Sequence, residues 1–296
     1  MTRFLVTGGQ GFIGRHLTNF LRVNEPEAEV ISFGHEQDLT DPAVCFDMLR
    51  RIGPCDYIFH LADLSGNAQW STAHSAEQFF CNSKMALNIL EGVSRYQKTA
   101  RLIGFSSLWS YPAGLTMARE QDYWSGPLHE PTQHYGLTKK LLGGGLQACK
   151  QQLQILGTIL VLGSVYGPGD HSDHVIPSLV QRMKEKPKSL EVWGNGHQVR
   201  DFIYIDDQVR AIYMHRNYNG PLLNIAGGKA YSIREVVNEL ATVLQYRGII
   251  TYSAEQSSER DVRKLDMTLA TSETGWPGKY ETLSLHQGLT LTLRGA

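Results

Sequence analysis

The sequence predicts an α/β fold, a doubly wound parallel sheet followed by a smaller lobe. Short apolar runs of strand length alternate with helix-length amphipathic stretches through the first half. A glycine-rich loop joins the first strand to the first helix. This alternation is typical of a parallel sheet with helices on both faces, whose site lies at the carboxyl ends of the strands. The 296 residues suffice for one large domain or two modest ones.

The predicted strands are continuously apolar and bounded by turn residues, as buried parallel strands are. They are Arg3–Thr7, Glu29–Phe33, Asp56–Ala62, Arg101–Ser106 and Ile155–Leu162. The predicted helices have apolar residues at helical spacing. They are Phe12–Val23, Pro42–Ile52, Ala76–Gln97, His134–Gln152, His174–Lys186, Asp207–His215 and Ser232–Tyr246. Because the pattern changes after Gly163 without a linker, we expect two units, 1–163 and 164–296, with some chain interleaving.

Composition excludes several classes of function. The net charge of −1 favours neither a nucleic acid nor an anionic membrane surface as partner. Apolar runs stay below the ~20 residues that span a bilayer, and Met1 leads directly into a strand, which leaves no room for a signal peptide. The four cysteines lie far apart, without metal-ligand spacing. We therefore expect reduced thiols, no metal and a cytoplasmic location.

The loop after the first strand reads T-G-G-x-G-F-I-G over residues 7–14. Gly8 permits a tight turn, Gly11 lets backbone N–H groups approach a pyrophosphate, and Gly14 lets helix and strand pack closely. Glycines often serve turns alone, but this loop lies between a strand and an amphipathic helix, as the motif requires. The first unit is therefore predicted to bind a dinucleotide.

The choice between NADP and NAD depends on the end of the second strand. NAD-preferring sites usually place a carboxylate there for the ribose 2′-OH, and the run from Val30 to His35 contains none. Arg15 and His35 are instead candidates for contact with a 2′-phosphate, although an arginine at this position is also typical of a solvated helix residue. NADP is preferred, and NAD stays open.

Tyr135 and Lys139 form a Y-x-x-x-K pair on one face of a predicted helix. An ammonium beside a phenol lowers the phenol's pKa, which lets tyrosine act as a general acid or base. Ser107, at the end of the fourth strand, is placed to hydrogen-bond the reacting oxygen. The three residues are the predicted catalytic set.

These motifs together resemble the extended short-chain dehydrogenase/reductases, the nucleotide-sugar epimerase/dehydratase group with a Rossmann fold. The resemblance also includes Asp38-Leu39, His60-Leu61-Ala62 and Arg200-Asp201-Phe202. It implies that Asp38 and Leu39 flank the adenine and that Lys139 holds the nicotinamide ribose. The cofactor-binding residues that it implies are Gly8, Gly11, Phe12, Ile13, Gly14, Arg15, His35, Asp38, Leu39, Leu61, Ala62, Asn82, Tyr135 and Lys139.

Within the group, the second half resembles GDP-fucose synthase, on stretches such as Tyr166–Asp170, His174–Pro177 and Val192–Gly194. This resemblance implies a nucleotide-diphosphate sugar as substrate, whose phosphates suit the bidentate guanidinium of arginine. The implied substrate-binding residues are Trp109, His174, Val175, Leu179, Arg182, Trp193, Arg200 and Arg263.

Two departures narrow the chemistry. The 3,5-epimerising members carry a cysteine where this chain has Trp109, and the 4,6-dehydratases carry an Asp-Glu pair at Leu108 and Trp109. Neither residue transfers a proton, so two functions remain. One is reduction of a 4-keto sugar, which the missing second-strand carboxylate favours, and the other is C4 epimerisation with recycled NAD. Asp63, where the group has a small residue, could reach the sugar or the nicotinamide edge, but the interpretation as a surface loop residue is preferred.

Other classes of function rank lower. A non-catalytic dinucleotide sensor is disfavoured because Tyr135 and Lys139 are both present. A simple alcohol or steroid dehydrogenase is disfavoured by the long region after residue 163. By resemblance, a homodimer is expected through the 76–97 and 134–152 helices.

Overall fold

The computed structural model describes residues 1–253 and 262–295. Its strands, numbered along the chain, are β1 (Arg3–Thr7), β2 (Glu29–Phe33), β3 (Tyr57–His60), β4 (Arg101–Ser107), β5 (Met117–Ala118), β6 (Gly157–Leu162), β7 (Ser164–Tyr166), β8 (Ser189–Trp193), β9 (Val199–Tyr204), β10 (Leu222–Ile225), β11 (Ala230–Ser232), β12 (Ile249–Ser253) and β13 (Val262–Leu265).

The α-helices of the described residues pack around these strands. They are α1 (Phe12–Asn24), α2 (Pro42–Arg51), α3 (Ala68–Ala73), α4 (Ser75–Tyr96), α5 (Gln133–Leu153), α6 (Val175–Lys184), α7 (Ile205–Met214), α8 (Ile233–Val243), α9 (Thr268–Thr274) and α10 (Leu285–Arg294). None is both long and apolar enough to cross a membrane, within the ranges that the structure describes.

The main sheet is parallel and has the strand order β10-β6-β4-β3-β1-β2. Its first strand is buried on both faces: Phe4 and Val6 pack into one apolar cluster with Leu17 of α1, and Leu5 packs into another with Ile89 of α4. Side chains alternate across a strand, so a continuously apolar strand requires helices on both sides. The predicted doubly wound sheet is therefore confirmed.

The second half of the chain contributes to both units. β10 joins the main sheet beside β6, while β11, β9, β13 and β5 form a second sheet in that order, with β7 on β9. Asn224 of β10 ties the units together: its buried Nδ2 donates to the carbonyls of Ala118 and Asp266, and its Oδ1 accepts from the Tyr111 hydroxyl. The chain interleaves, and the boundary at residue 163 stays a prediction.

Several predicted element ends shift for local reasons. The helix predicted to reach Lys186 ends at Lys184, and that predicted to reach Tyr246 ends at Val243. Each is followed by a residue with positive φ, Lys186 at 49° and Gln245 at 52°, which cannot continue a right-handed helix. The third strand ends at His60 instead of Ala62, and the strand predicted from Ile155 begins at Gly157.

Candidate active site

The glycine loop packs more closely than side chains permit. Gly8 has φ of 70°, and a Cβ there would lie 2.5 Å from the Ala62 nitrogen. A Cβ on Gly14 would lie 2.1 Å from the Gly8 carbonyl oxygen. Gly11 is the N-cap of α1 and has no side chain to cover the first-turn N–H groups. This cradle fits a dinucleotide pyrophosphate.

The half-buried side chains around this cradle come from two segments. They are Phe12 and Ile13 at the start of α1, and Leu61 and Ala62 after β3. All four were predicted to contact the cofactor, and they lie on the rim of the cradle.

Glu36 places a carboxylate just beyond β2. Its Oε1 accepts a hydrogen bond from Gly34 N at 2.7 Å, and its Oε2 accepts one from Gln10 Nε2 at 2.8 Å. The Gly34 N–H lowers the pKa of Glu36. The expectation that the end of the second strand lacks an acid is therefore wrong, because the turn at Gly34 folds Glu36 back onto the glycine loop.

Arg15 and His35 lie at the surface beside this end. The Arg15 guanidinium donates to the Gly169 carbonyl and lies 5.6 Å from the Phe12 ring centre. His35 is exposed. Arg15 thus links the first helix to the 167–169 segment, and its predicted contact with a 2′-phosphate stays a prediction.

The predicted adenine neighbours differ in exposure. Asp38 is exposed and its Oδ1 accepts from Thr40 N at 2.9 Å. Leu39 packs into the apolar core, where Asn88 Nδ2 donates to its carbonyl at 2.9 Å. The Leu39 side chain is therefore a packing residue, and the segment offers Asp38 and backbone groups to the surface.

Asn82 of α4 fixes the loop that follows β3. Its Oδ1 accepts from Leu64 N at 2.8 Å, and its Nδ2 donates to Leu64 O at 2.9 Å. Gln78 Nε2 donates to the same carbonyl at 3.1 Å. Asn82, predicted to bind cofactor, holds in position the loop that carries Asp63.

Asp63 lies between the two residues of the Y-x-x-x-K pair. Its Oδ2 accepts a hydrogen bond from the Tyr135 hydroxyl at 3.1 Å, and its Oδ1 lies 2.9 Å from Lys139 Nζ. The Lys139 nitrogen also lies 5.2 Å from the centre of the Tyr135 ring. The preferred interpretation of Asp63 as a surface loop residue is wrong. The hydrogen bonds from Asn82 to the backbone of Leu64 hold the loop so that the Asp63 side chain contacts α5.

The expectation that the pKa of Tyr135 is lowered is wrong. Burial and the negative charge of Asp63, which also accepts the hydroxyl hydrogen, raise the pKa of Tyr135 well above its ordinary value. The argument from Lys139 alone omitted this carboxylate. Near neutral pH, Tyr135 is therefore a protonated phenol.

Ser107 lies where the end of β4 meets α5. Its Oγ accepts from Trp109 N at 3.3 Å, which caps the short 3-10 helix 108–110. Gly136 allows α5 to approach, since a Cβ there would lie 2.8 Å from the Trp109 carbonyl oxygen. The neighbouring Ser106 is buried and bonds to Tyr123 Oη at 2.7 Å. The Ser106 side chain is therefore engaged in the core, whereas Ser107 is half-buried.

The Trp109 ring packs against the guanidinium groups of two arginines of the second sheet. The guanidinium carbon of Arg263 lies 4.5 Å from the centre of this ring, and that of Arg200 lies 5.5 Å away. The two arginines are register partners on β13 and β9, and the His129 ring centre lies 5.1 Å from that of Trp109. The structure thus brings three predicted substrate-binding residues together beside Ser107.

The remaining predicted substrate residues are spread over α6 and β8. His174 and Val175 are exposed at the start of α6, and Trp193 is exposed at the end of β8. Leu179 instead packs in the core, because it lies on the buried face of α6. Arg182 donates to the Glu191 carbonyl, which links α6 to β8.

Residues 4–226 match the model of the NAD dependent epimerase/dehydratase family, which is more than half of the chain. The chain belongs to this family. Its membership confirms the predicted resemblance to the extended short-chain dehydrogenases and the nicotinamide dinucleotide, NAD(P), as cofactor class.

Relatives of known activity extend over most of the chain. A dTDP-4-dehydro-6-deoxy-D-allose reductase of a Streptomyces species is 30% identical over 267 residues, 81% of this chain and 80% of the relative. A GDP-L-fucose synthase of Azorhizobium caulinodans is 25% identical and spans 93% of this chain and 90% of the relative. The crystal structure of UDP-glucose 4-epimerase from Thermotoga maritima, with UDP-glucose, superposes with a TM-score of 0.84 at 26% identity over 99% of this chain and 98% of that one.

Three residues of the candidate site were not among the predicted site residues: Glu36 and His129 were not considered, and Asp63 was considered but assigned to the surface. Each is polar and follows or precedes a predicted element by a few residues. The signal for Asp63 was present, since a carboxylate replaces a small residue after His-Leu-Ala. For Glu36 and His129, the contacts come from chain folding, which local pattern does not reveal.

Proposed function

We propose that the chain reduces the 4-keto group of a nucleotide-diphosphate sugar with NAD(P)H. The observation that carries this is Trp109, which lies beside Ser107 and against Arg200 and Arg263. An indole carries no proton for sugar C3, C5 or C6. The chemistry is thereby limited to hydride exchange and one proton transfer at a single carbonyl.

In this function the residues of the chain bind the substrate and transfer one proton to it. A nicotinamide dinucleotide, when bound by the glycine cradle, supplies the hydride. Tyr135 donates its hydroxyl proton to the oxygen that becomes the C4 alcohol, and Ser107 hydrogen-bonds that oxygen. Lys139 orients the ribose of the dinucleotide and keeps Tyr135 in position.

Arg263 and Arg200 suit the diphosphate. Arg263 is only 6% exposed, and a buried guanidinium interacts strongly with phosphate oxygens. Trp109 packs against both guanidinium groups and thereby restricts their orientation. The relative that reduces a dTDP-linked 4-keto sugar supports the same class of substrate.

A C4 epimerase with recycled NAD is the second candidate. Two observations favour it: the similarity to UDP-glucose 4-epimerase and the Glu36 carboxylate, which suits the 2′-OH of NAD. The hydrogen bond from the Tyr135 hydroxyl to Asp63 favours the reductase, because it suits a tyrosine that starts as a phenol, whereas epimerisation begins with removal of the C4-OH proton by a phenolate.

The deciding experiment has two parts. The purified protein is denatured and any released dinucleotide is identified by mass spectrometry. Separately, oxidation of NADPH and NADH is followed with 4-keto nucleotide sugars on dTDP, GDP and UDP. Stoichiometric oxidation by an initially empty protein supports the reductase. Tightly held NAD with interconversion of C4 epimers supports the epimerase, and dinucleotide binding without turnover supports the sensor.

Replacing Glu36 tests the dinucleotide preference. Glu36→Gln is expected to raise kcat/KM for NADPH relative to NADH by about tenfold, because a carboxylate repels the 2′-phosphate. Steady-state kinetics with both dinucleotides measures this ratio. Glu27→Gln, an exposed change before β2, is the control. An unchanged ratio in Glu36→Gln means that Glu36 does not face the adenosine ribose.

A homodimer through α4 and α5 is part of the proposal. Large apolar side chains are exposed on both helices, Phe80 (61%) and Leu87 (53%) on α4 and Leu137 (44%) on α5. Light scattering at low micromolar concentration is expected to give twice the 33.1 kDa chain mass. Phe80→Asp with Leu87→Asp is expected to give monomers, whereas Val23→Asp on α1 leaves the dimer intact. A wild-type monomer contradicts the proposal.

The predicted setting is carbohydrate biosynthesis in the cytoplasm, where nucleotide sugars and nicotinamide dinucleotides are both substrates of soluble enzymes. Fractionation of the producing cells tests this location.

A further inference from the structure

Asp63 is held in a fixed position at the carboxyl end of β3. The loop after His60 is anchored one residue later, where the Asn82 amide bonds both backbone groups of Leu64 at 2.8 and 2.9 Å. A small cavity between this loop, α4 and α5 is lined by His60, Ala62, Asp63, Asn82, Thr138 and Lys139. The Asp63 side chain therefore projects into the site from a rigid support.

The two oxygens of Asp63 serve two different partners on α5. Oδ1 pairs with Lys139 Nζ at 2.9 Å, and Oδ2 accepts the Tyr135 hydroxyl hydrogen at 3.1 Å. The side chains of Lys139 and Asp63 are 12% and 16% exposed. An ion pair this sheltered is screened much less than one at the surface. One carboxylate thus contacts both Lys139 and the Tyr135 hydroxyl, and its negative charge disfavours the phenolate form of Tyr135.

We propose that Asp63 is a positioning residue that pairs with Lys139 and holds the Tyr135 hydroxyl in its proton-donating form, so that the site is set to protonate a carbonyl oxygen. The proposal rests on the 4-keto reductase function. Reduction of a carbonyl starts with Tyr135 as a phenol, whereas oxidation of an alcohol starts with Tyr135 as a phenolate. By favouring the phenol, Asp63 favours proton transfer from Tyr135 to the substrate.

Of the charges around Tyr135, that of Asp63 favours the protonated phenol, and its pairing with Lys139 offsets the opposite effect of the ammonium. Asp63 faces Tyr135 from the β3 loop, Lys139 from its own helix, and Tyr123 from the segment before α5. His60, at the end of β3, is buried and hydrogen-bonded to Thr7, and burial, with the nearby Lys139, lowers its pKa to about 3. His60 is therefore neutral near neutral pH, and Asp63 and Lys139 are the charges that act on the phenol.

The proton balance of the step is simple. With a bound dinucleotide supplying a hydride to C4, the C=O double bond would become a single bond and its oxygen would take the proton of Tyr135. The O–H bond of Tyr135 breaks and a new O–H bond forms on the sugar. Tyr135 is left as a phenolate beside the Lys139–Asp63 pair, and a solvent proton restores it. Asp63 keeps its charge throughout, and the hydrogen bond that it accepts from Tyr135 is exchanged for the one that the hydroxyl donates to the sugar oxygen.

The test compares Asp63→Asn with Asp63→Glu in the full-length protein. Asparagine removes the charge but keeps the size, and glutamate keeps the charge. The first readout needs no cofactor: ionisation of Tyr135 is followed by the ultraviolet difference between each protein and its Tyr135→Phe counterpart. The second readout is the pH profile of kcat for reduction. Asp47→Asn, which removes a carboxylate from a surface ion pair on α2, is the matched control.

In Asp63→Asn, Tyr135 is expected to ionise at lower pH than in the wild type, and the alkaline limb of kcat shifts in the same direction. On that limb kcat falls by at least about tenfold at equal pH, since the general acid is lost. Asp63→Glu retains the wild-type profile, and Asp47→Asn moves neither readout. Thermal melting of each variant confirms folding.

Two results overturn the proposal: a Tyr135 ionisation that Asp63→Asn leaves unmoved, or an ionisation that moves without the kcat limb. Failure of the reductase function is a separate outcome. If the wild type reduces no 4-keto nucleotide sugar, the proposed function falls, and the ultraviolet titration still decides whether Asp63 holds Tyr135 protonated.

Discussion

Replacing Tyr135 with phenylalanine is expected to lower kcat for reduction by about 10²–10⁴-fold, the usual contribution of a general acid. The ring stays in place and only the hydroxyl that bonds Asp63 at 3.1 Å is removed. Because Lys139 keeps its pairing with Asp63 at 2.9 Å, the affinity for the dinucleotide should change little. Steady-state turnover and a separate dinucleotide titration measure the two quantities.

Tyr280→Phe is the matched control, since Tyr280 is exposed and lies after α9. It should leave kcat unchanged. A loss of less than about tenfold in Tyr135→Phe contradicts Tyr135 as the proton donor, because no general acid of ordinary efficiency contributes so little. A large loss that comes only from weaker dinucleotide binding contradicts it equally.

The sheet was predictable because each of its early strands is a continuous apolar run between turns. β10 was not, since Leu222–Ile225 is a four-residue run whose place beside β6 depends on a chain crossing from the second half. The short α3 and the late α9 and α10 were also missed. α3 has six residues, too few for an amphipathic pattern to repeat.

In the candidate site, too, local sequence patterns predicted some features and contacts between distant segments determined the others. Tyr135 and Lys139 were found because i,i+4 spacing places both on one helix face. The upward shift of the Tyr135 pKa was not, because it comes from burial in the folded chain and from Asp63, 72 residues earlier. Glu36 was missed for a related reason: only the turn at Gly34 returns it to the glycine loop. Sequence motifs thus identify the catalytic side chains, but contacts between distant segments determine the protonation states of those side chains.

Asp201→Asn is expected to stabilise the protein above neutral pH. Asp201 lies on β9 next to Arg200 and is 2% exposed, and its Oδ2 accepts from Leu265 N at 3.4 Å. Burial raises the pKa of Asp201 from 3.8 to about 7. Above that pH the folded protein holds a desolvated carboxylate, whereas the unfolded chain holds a hydrated one. Asparagine has the same shape and no charge.

The sign of the pH dependence follows from the raised pKa. The folded state binds the Asp201 proton more tightly than the unfolded state, so the proton stabilises the fold fully below the unfolded pKa of 3.8, and this stabilisation is lost as pH rises through about 7. At ~1.4 kcal/mol per pKa unit, the loss reaches at most about 4 kcal/mol, and about 2 kcal/mol is expected after relaxation around the charge.

Urea unfolding of the wild type and Asp201→Asn from about pH 4 to pH 9 measures this difference directly. The two free energies of unfolding should be similar at the acid end and diverge in favour of asparagine as Asp201 ionises. Asp206→Asn, at an exposed carboxylate of α7, serves as the control. A gap of constant size across the whole range would assign the effect to altered packing at β9 and would contradict a buried titrating group. A gap that opens through neutral pH would show that the second sheet carries a buried acid immediately beside Arg200.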